Sequence, residues 1–490
     1  MKRAIILLLI SLLMMSSASF GAEILSMSDF ISTCVKTNPR YQITVKDYLI
    51  ALQTDKSARS LEDWNLIASG IYSDGSPPVG ASPLSTYSNV LGYSIGLEKY
   101  IANTGTAIQL THNNSKIRSD FPSIPGFSIP PSPYYASDLS LTITQPLLKN
   151  AFGLVTKKSL EISDQSLKLA EIKLREDWED FIVSLKEDYR KWQKCYLKVK
   201  IYEDKYNAVQ KQLDLVERQV KVDLSEELDL VQTNQQVKAY GIMLEQAKMD
   251  CEAQAKRVSA LMSRNDEGSA KFEPEKFKTE GNVPAEKDAL VYLQSDSNVK
   301  KTADLMVVMS KATLDMKESE ELPAMDLMLQ AMPNTAQSTL GKSIGEIGSN
   351  QYYVISLNAS RPLGNDMASA EKKKAEEEYA KASKEKDDIM LNSRSGLAGL
   401  YTSLKYLDRM IVLGRENLDL AKKRTELEQN KYNQGRSSVF FLLQAEDSLL
   451  IAEQSLNEAL FAREATVSQI KSFTDKYAVE YRDLLEGGVK

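Results

Sequence analysis

The chain has 490 residues, with 61 basic and 67 acidic side chains and a net charge of −6. That length suffices for two or three ordinary domains or one elongated domain, and the mild negative charge argues against nucleic acid as a partner. Three cysteines, at positions 34, 195 and 251, are too few and too scattered for a disulfide framework. His112 is the single histidine, so the composition does not favour a zinc site or histidine-based catalysis.

The first 22 residues have the three parts of a secretory signal peptide. Lys2 and Arg3 form a charged start, residues 4–15 are apolar, and residues 16–22 are mostly small. An N-terminal membrane anchor is the alternative, but the apolar run is short for a bilayer span. No run of 18 apolar residues follows, so we expect an exported chain whose membrane crossing, if any, uses β-strands.

The next part of the sequence predicts two helices followed by strands. Ser28 or Asp29 caps a short helix, and Pro39 begins a second one that runs to about residue 62. Apolar and polar residues then alternate in several short segments, with Gly/Pro/Ser-rich loops at residues 73–88 and 113–136. This pattern fits a soluble β-domain with one buried face, or a transmembrane barrel wall that is apolar outside and polar inside. Alternation alone does not separate the two.

Residues 153–220 predict one very long helix. Its apolar positions recur at spacings of three and four, and at about 1.5 Å per residue it would reach roughly 100 Å. A turn at residues 223–225 leads to a return helix with an apolar residue at every seventh position, from Leu230 to Val258. A charged stretch with Gly and Pro, residues 265–285, predicts a linker or small side element.

The second half repeats this order. A helix at 286–318, strands near 327–331 and 353–359, and a Lys/Glu-rich helix from 371 precede a second long hairpin. The interval between the strand ends at Pro146 and Pro362 is shorter than the interval between the strand starts at Trp64 and Pro323, so the first half carries an insertion. We interpret the chain as a duplicated unit, with repeats at 23–264 and 286–476 and a tail at 477–490.

On these residues the chain resembles the outer membrane efflux protein (TolC) family over nearly its whole mature length. The family's hairpin tip has Tyr-x-x-Gly, then Asp, Leu and Ala, and Tyr432, Gly435, Leu443 and Ala445 fit that register. The first hairpin fits more loosely, with Asp229 at the Asp position. Both strand ends read Pro-Leu, as in the family.

The resemblance implies a mainly α fold with a transmembrane β-barrel contribution. Each protomer would supply two coiled-coil hairpins and amphipathic strands to a trimeric barrel in the outer membrane of a Gram-negative type envelope. The family conducts substrates passively, with a periplasmic adaptor (membrane fusion protein) and an inner-membrane pump as partners, in contact with outer-membrane lipid. It uses no cofactor, catalytic residue or bound metal.

Two other functions compete with the channel. A periplasmic coiled-coil adaptor or scaffold would keep the hairpins but never enter the outer membrane; two hairpins and amphipathic strands with long loops favour the channel. An enzyme is a distant third, because no carboxylate or serine constellation accompanies the lone His112.

The resemblance also implies a gate at the hairpin tips. Family members carry acidic residues at two positions where this chain has Phe441 and Gln444, so we expect an apolar constriction at Phe441. The opposite interpretation, that Phe440 and Phe441 are core residues, is nearly as strong. Asp229 and Tyr432 occupy the positions of an Asp–Tyr hydrogen bond that holds the family's gate shut.

The turns of the two hairpins are the expected adaptor-contacting sites. They comprise Asp223, Leu224 and Ser225 in the first hairpin and Gly435, Arg436 and Ser437 in the second. Asp223 stands where the family usually has glycine, and Asp tolerates the left-handed backbone less readily than Gly.

Strand count and cysteine state are the remaining expectations. Two strands per repeat would give a 12-stranded trimer, and we favour 12 strands with the insertion as an accessory hairpin over an 18-stranded barrel. Cys195 and Cys251 are equally far along the chain from Asp223, one before it and one after it, so they lie level across the first hairpin. Because helix axes 8–10 Å apart often hold Cα atoms too far apart for a disulfide, we predict two buried thiols.

Overall fold

The computed structural model describes residues 23–76, 87–120, 132–263, 272–279, 281 and 283–484. The predicted signal peptide, 1–22, lies outside the described residues. The chain divides into two compact units. Unit 1 comprises Met1–Asp47, Ile172–Lys301 and Ile389–Lys490, and unit 2 comprises Tyr48–Glu171 and Thr302–Asp388. The predicted repeat boundaries, 23–264 and 286–476, stay a prediction, because these units group residues by spatial proximity.

Helices dominate the described residues, as the predicted fold class requires. They are α1 (Met27–Thr37), α2 (Pro39–Arg59), α3 (Leu154–Lys221), α4 (Glu227–Leu261), α5 (Glu286–Ser295), α6 (Asn298–Glu321), α7 (Leu340–Gly345), α8 (Asp366–Asn433), α9 (Val439–Phe473) and α10 (Lys476–Glu480). The strands are β1 (Glu23–Leu25), β2 (Asn65–Gly75), β3 (Tyr87–Ile101), β4 (Thr106–Asp120), β5 (Tyr134–Pro146), β6 (Phe272–Pro274), β7 (Ala324–Gln337) and β8 (Asn350–Ser360).

The two long hairpins have equal helices. Helices α3 and α8 are each 68 residues long, and α4 and α9 are each 35. The first residues of α3 and α8 are separated by the same number of positions in the sequence as their last residues. The first residues of α4 and α9, and their last residues, are also separated by that number. This agreement supports the duplication inferred from sequence.

The core of unit 1 lies along the hairpins. One cluster joins both of them and includes Val209, Val216 and Tyr240 from the first hairpin and Val439 and Leu442 from the second, all nearly inaccessible to solvent. The apolar seam predicted along these helices is therefore the surface on which the hairpins pack.

Unit 2 contains one antiparallel sheet with the strand order β2-β3-β4-β5-β7-β8. Strands β3 and β4 form the hairpin that accounts for the insertion, and they lie inside this sheet between β2 and β5. The preference for an accessory hairpin outside the sheet is therefore wrong. The backbone ladder decides the position of β3 and β4, and amphipathic alternation does not report which strands are neighbours.

Three predicted boundaries also need correction. Residues 113–120 and 134–136, predicted as loop, extend β4 and β5, because pairing with neighbouring strands prolongs their ladders. The helix predicted at 286–318 is divided into α5 and α6 near Asp296. The N-cap of α1 is Ser26 rather than Ser28 or Asp29, since its side chain accepts a hydrogen bond from the backbone N–H of Asp29.

Cys195 and Cys251 form a disulfide across the first hairpin, with their Cα atoms 5.1 Å apart. The prediction of two free thiols is wrong. Helix axes overestimate this separation, because facing Cα atoms each lie about 2.3 Å inward of their own axis. Cys34 is buried and free.

Candidate functional site

Both hairpin tips turn by the same backbone device. Asp223 and Gly435 adopt left-handed conformations, with φ of 58° and 67°. The next residue in each turn donates its backbone N–H to a carbonyl five positions earlier: Leu224 to Gln219 at 2.8 Å, and Arg436 to Lys431 at 2.9 Å. These are the bonds of a Schellman motif, which satisfies the last carbonyls of α3 and α8.

The predicted adaptor-contacting residues all lie in these two turns. Leu224 and Arg436 are exposed, whereas Ser225 and Ser437 are half-buried because their hydroxyls bond nearby carboxylates. Ser225 donates to Asp229 at 2.8 Å, and Ser437 donates to Glu428 at 2.9 Å. Each serine therefore fastens its turn to a neighbouring helix, and the residue beside it stays available at the surface.

The expected Tyr432–Asp229 hydrogen bond is absent from the described residues. The hydroxyl of Tyr432 donates instead to Oε1 of Gln219 at 2.6 Å, and Asp229 accepts from Ser225 within its own hairpin. Tyr432 is buried, and burial followed by the nearby negative charge of Asp229 raises its pKa. The tips are thus linked through Gln219, a residue that the family motifs did not indicate.

Phe441 and Gln444 lie on the exposed side of α9, close to the tip. The side chains of Phe440 and Phe441 are each 52% exposed, and their rings meet edge to face at 5.5 Å. The core interpretation of this pair is therefore wrong for the isolated protomer. Gln444 is exposed and accepts a 3.4 Å hydrogen bond from Arg424. The role of Phe441 and Gln444 in a constriction stays a prediction.

Further polar links join the two hairpins along their length. Asp447 of α9 accepts hydrogen bonds from Tyr240 at 2.5 Å and from Gln236 at 2.8 Å, both on α4. Arg190 of α3 meets Glu464 of α9 at 3.1 Å, and both side chains are buried. Sequence reasoning missed these residues. The sequence did contain a clue to these links: α9 carries carboxylates at Asp447 and Glu464, whereas its other seam positions are small or apolar.

The two faces of the sheet differ in chemistry. Directly paired residues share a face, and one apolar row runs across all six strands. That row comprises Leu66, Leu97, Leu110, Leu141, Ala331 and Tyr353. The residue next to each of these in its strand points to the opposite face. Those residues are Ile67, Gly96, Thr111, Ser140, Gln330 and Val354. The apolar face is exposed in the protomer, with large aliphatic side chains open to the surroundings.

Helix α7 covers a polar patch on the apolar face. Ser343 of α7 is fully buried, and its hydroxyl oxygen lies 2.9 Å from the hydroxyl of Ser137 and 3.3 Å from the amide nitrogen of Asn114. These three side chains are hydrogen-bonded to one another, so none of them is left without a partner beneath α7.

A sequence model described as outer membrane efflux protein matches residues 302–474. These residues belong to the outer membrane efflux protein family. The resemblance inferred from the tip motif and the duplication is thereby confirmed, and the matched segment contains α8, the second tip and all of α9. No curated protein sequence matches the chain.

Solved structures extend the likeness in fold to the first half of the chain. VceC from Vibrio cholerae is 13% identical with a TM-score of 0.69, over 91% of this chain and 96% of that chain. CmeC from Campylobacter jejuni is 13% identical with a TM-score of 0.67, over 94% and 89%. The open state of MtrE from Neisseria gonorrhoeae is 13% identical with a TM-score of 0.65, over 92% and 88%. At this identity the likeness establishes a shared fold.

Two kinds of feature are absent from the described residues. Among the described residues, no helix is long and apolar enough to cross a membrane. Within the same residues, no group of three or more His, Cys, Asp or Glu side chains is arranged to hold a metal ion.

Proposed function

We propose that this efflux protein is a homotrimeric outer-membrane channel that conducts substrates passively from the periplasm to the exterior. The observation that carries the proposal is the apolar face that crosses all six strands, backed by a largely polar face and bounded by two unpaired edges. A sheet of this kind is stable in hydrocarbon only when its edges are paired and its apolar face meets lipid.

The dimensions of the strands suit a membrane crossing. A transmembrane strand needs about 9–11 residues, and β3 and β4 have 15 each, while β5 has 13. Aromatic residues lie near both ends: Trp64 at the end close to the helices, and Tyr72 and Tyr135 at the other. Such belts mark the two interfaces of outer-membrane barrels.

We place the hairpins in the periplasm, where their tips would meet an adaptor protein that couples the channel to an inner-membrane pump. The exposed side chain of Leu224 is the most accessible apolar group of the two turns. Beside it, Ser225 and Ser437 fasten the turns, so the contact surface is preorganised and loses little conformational entropy on docking.

We propose that Phe441 forms the gate of the closed channel. Three copies of an exposed phenylalanine converging on a three-fold axis would make an apolar constriction that excludes water and ions. Phe441→Ala should raise the open fraction in planar-bilayer recordings several-fold. Phe440→Ala, which removes an equally exposed neighbouring ring, is the matched control and should have a much smaller effect.

Equal open fractions in both variants would remove Phe441 from the constriction. Asp229, at the equivalent position of the first hairpin, and Gln444 would then be the next residues to test. Their substitution by alanine should change cation selectivity if they line the same opening.

A periplasmic scaffold without a membrane barrel is the second candidate, supported by the paired hairpins alone. Fractionation separates the two functions. The channel requires recovery in the outer-membrane fraction as an oligomer that dissociates on heating, and recovery as a soluble monomer would contradict it.

A further inference from the structure

The inserted hairpin β3–β4 has continuous backbone pairing on both sides. Residues Asn65–Gly75 of β2 pair with Ser88–Glu98, and Ala107–Ile117 of β4 pair with Tyr134–Thr144. Displacing the hairpin from the sheet would break both ladders, and it would leave β2 without a partner and β5 paired with β7 alone. The hairpin therefore belongs to the wall of the sheet.

The turn of this hairpin is anchored at the end of the sheet that lies near the helices. The backbone N–H of Ala102 donates to the Glu62 carboxylate at 3.0 Å, just before β2 begins. The side-chain amide of Gln145, at the end of β5, donates to the carbonyl of Thr104 at 2.9 Å. The turn thus lies level with the matching ends of β2 and β5.

Close packing at two glycines fixes the same turn against the start of α3. A Cβ on Gly153 would clash with the carbonyl oxygen of Ala102, and a Cβ on Gly105 would lie 2.9 Å from the nitrogen of Gly153. Both glycines also have positive φ. This approach is accessible to glycine alone, so Gly105 and Gly153 hold the turn against the start of α3.

Both faces of the hairpin continue those of the neighbouring strands. Most of its large apolar side chains lie on the face shared with Leu66 and Leu141: Leu91, Tyr93, Ile95, Leu97, Ile108 and Leu110. The residues on its other face are mostly small or polar: Gly92, Ser94, Gly96, Thr111, Asn113 and Ser115. The hairpin therefore has a lipid-type face and a water-type face in register with the rest of the sheet.

The edges of the sheet are β2 and β8, and most of their side chains are exposed. Because six antiparallel strands alternate in direction, β2 and β8 run in opposite directions. The β8 edge of one copy can therefore continue the antiparallel ladder with the β2 edge of the next copy, and repeated pairing closes a ring without leaving an edge.

We propose that three copies of this chain close through β2–β8 pairing into a barrel of eighteen strands, with the β3–β4 hairpin of each copy in the wall. This inference rests on the proposed trimeric channel. Barrel diameter grows roughly linearly with strand number, so the backbone cylinder would widen from about 24 Å for twelve strands to about 36 Å. The outer mouth would then admit solutes that a twelve-stranded barrel of the same tilt excludes.

Tryptophan quenching by brominated lipid tests the placement of the hairpin. In proteoliposomes of a Trp64→Phe background, Ile95→Trp should be quenched strongly by bromine on the acyl chains. Ser94→Trp, at the adjacent position on the polar face, should be quenched weakly. Ile355→Trp in β8 is the reference. In the proposed channel, β8 contacts lipid whether or not the β3–β4 hairpin lies in the wall.

The three introduced tryptophans distinguish failure of the eighteen-stranded barrel from failure of the proposed channel function. If Ile355→Trp is quenched and Ile95→Trp is not, the hairpin lies outside the wall and the eighteen-stranded barrel is overturned while the channel stands. If neither is quenched, the proposed function itself fails. Should Ile95→Trp not assemble, Leu97→Trp reports the same face, and a strand count from electron microscopy of wild-type protein in nanodiscs decides directly.

Disulfide cross-linking tests the closing contact. Ala68→Cys in β2 is combined in turn with Tyr353→Cys, Ile355→Cys or Leu357→Cys in β8, in a Cys34→Ala background. At least one pair should give a non-reducing ladder that ends at the trimer, whereas single variants stay monomeric on the gel. A ladder that ends at the dimer would make a twelve-stranded barrel of two copies and overturn the proposal.

Discussion

At the scale of residues, the two tips show how different side chains meet one backbone requirement. Asp223 and Gly435 both adopt left-handed φ, and the hydrogen bonds around them correspond pair by pair. Glycine adopts this conformation without steric cost, while aspartate accepts it at some cost. The left-handed conformation is required because a helix ends there, so its position can be predicted from the sequence even where the residue is not glycine.

Replacement of Gly435 should therefore destabilise the second tip. Gly435→Ala places a Cβ on a residue with φ of 67° and should lower stability by about 1 kcal/mol. Gly435→Asn should cost less, because asparagine tolerates the left-handed region. Thermal unfolding of the purified protein measures both, and equal losses in the two variants would show that backbone conformation is not the cause.

A buried carboxyl fastens the C-terminal segment to α3. Oε1 of Glu179 accepts the backbone N–H of Ala478 at 2.5 Å, and the residue is 1% exposed. Burial raises the pKa of Glu179 to about 8, and burial also raises the pKa of neighbouring Glu176 to about 7 and that of Asp475. The charged form is therefore disfavoured in the folded protein.

Docking of α10 should weaken as pH rises. A carboxyl whose folded pKa is raised binds a proton that the released state gives up, so its contribution is full below about pH 4.5 and declines towards pH 8. Proteolysis within residues 476–484 should accelerate about tenfold from pH 5 to pH 8. Glu179→Gln keeps an oxygen acceptor for Ala478 and should flatten this dependence. An unchanged slope would contradict the assignment to Glu179.

At the scale of elements, the first hairpin differs from the second by its covalent cross-link. The sequence placed Cys195 and Cys251 level across the hairpin, but the mean spacing of helices argued against a bond. The facing Cα atoms are close enough because they project from their axes towards each other. The packing of these two helices decided the question.

Loss of this disulfide should destabilise the first hairpin. The bond joins cysteines with a sequence separation of 56, and the chain-entropy relation assigns about 4 kcal/mol to a loop of that size. The Cys195→Ser/Cys251→Ser variant should unfold at lower denaturant concentration than wild type, and a reductant should reduce stability in wild type alone. Non-reducing peptide mapping that lacks a 195–251 cross-linked peptide would contradict the bond.

The two faces of the sheet should respond oppositely to charge. Leu329 lies on the apolar face of β7 and the adjacent Gln330 on the opposite face. Leu329→Arg should cost about 2–4 kcal/mol if that face meets lipid, and it should reduce the oligomer recovered from the outer membrane. Gln330→Arg is the control and should assemble nearly as well as wild type. Equal assembly of both variants would argue against a lipid-facing surface.

At the scale of the whole molecule, the duplication is clearer in structure than in sequence. The four long helices fall into two pairs of identical length, and one constant offset along the chain relates both pairs. In contrast, the sheet departs from the duplication, because the first repeat supplies four strands and the second supplies two. The β3–β4 hairpin therefore adds two strands to the sheet, while the long helices of the two hairpins keep matching lengths.

The sequence by itself determined the long helices, their turns and the resemblance to the outer membrane efflux protein family. Heptad spacing, the Tyr-x-x-Gly tip and the Pro-Leu strand ends are local patterns, and local patterns follow from helical and strand periodicity. They located Asp223, Gly435 and the exposed tip residues correctly. They also predicted amphipathic strands on either side of the turn at Gly105.

The tertiary structure decided what depends on neighbours distant in sequence. It placed β3–β4 between β2 and β5, bonded Cys195 to Cys251, and directed the hydroxyl of Tyr432 to Gln219 instead of Asp229. Each outcome depends on the separation of two backbones that periodicity does not specify. Strand neighbours, facing Cα distances and hydrogen-bond partners emerge only when the elements pack, because packing fixes those separations.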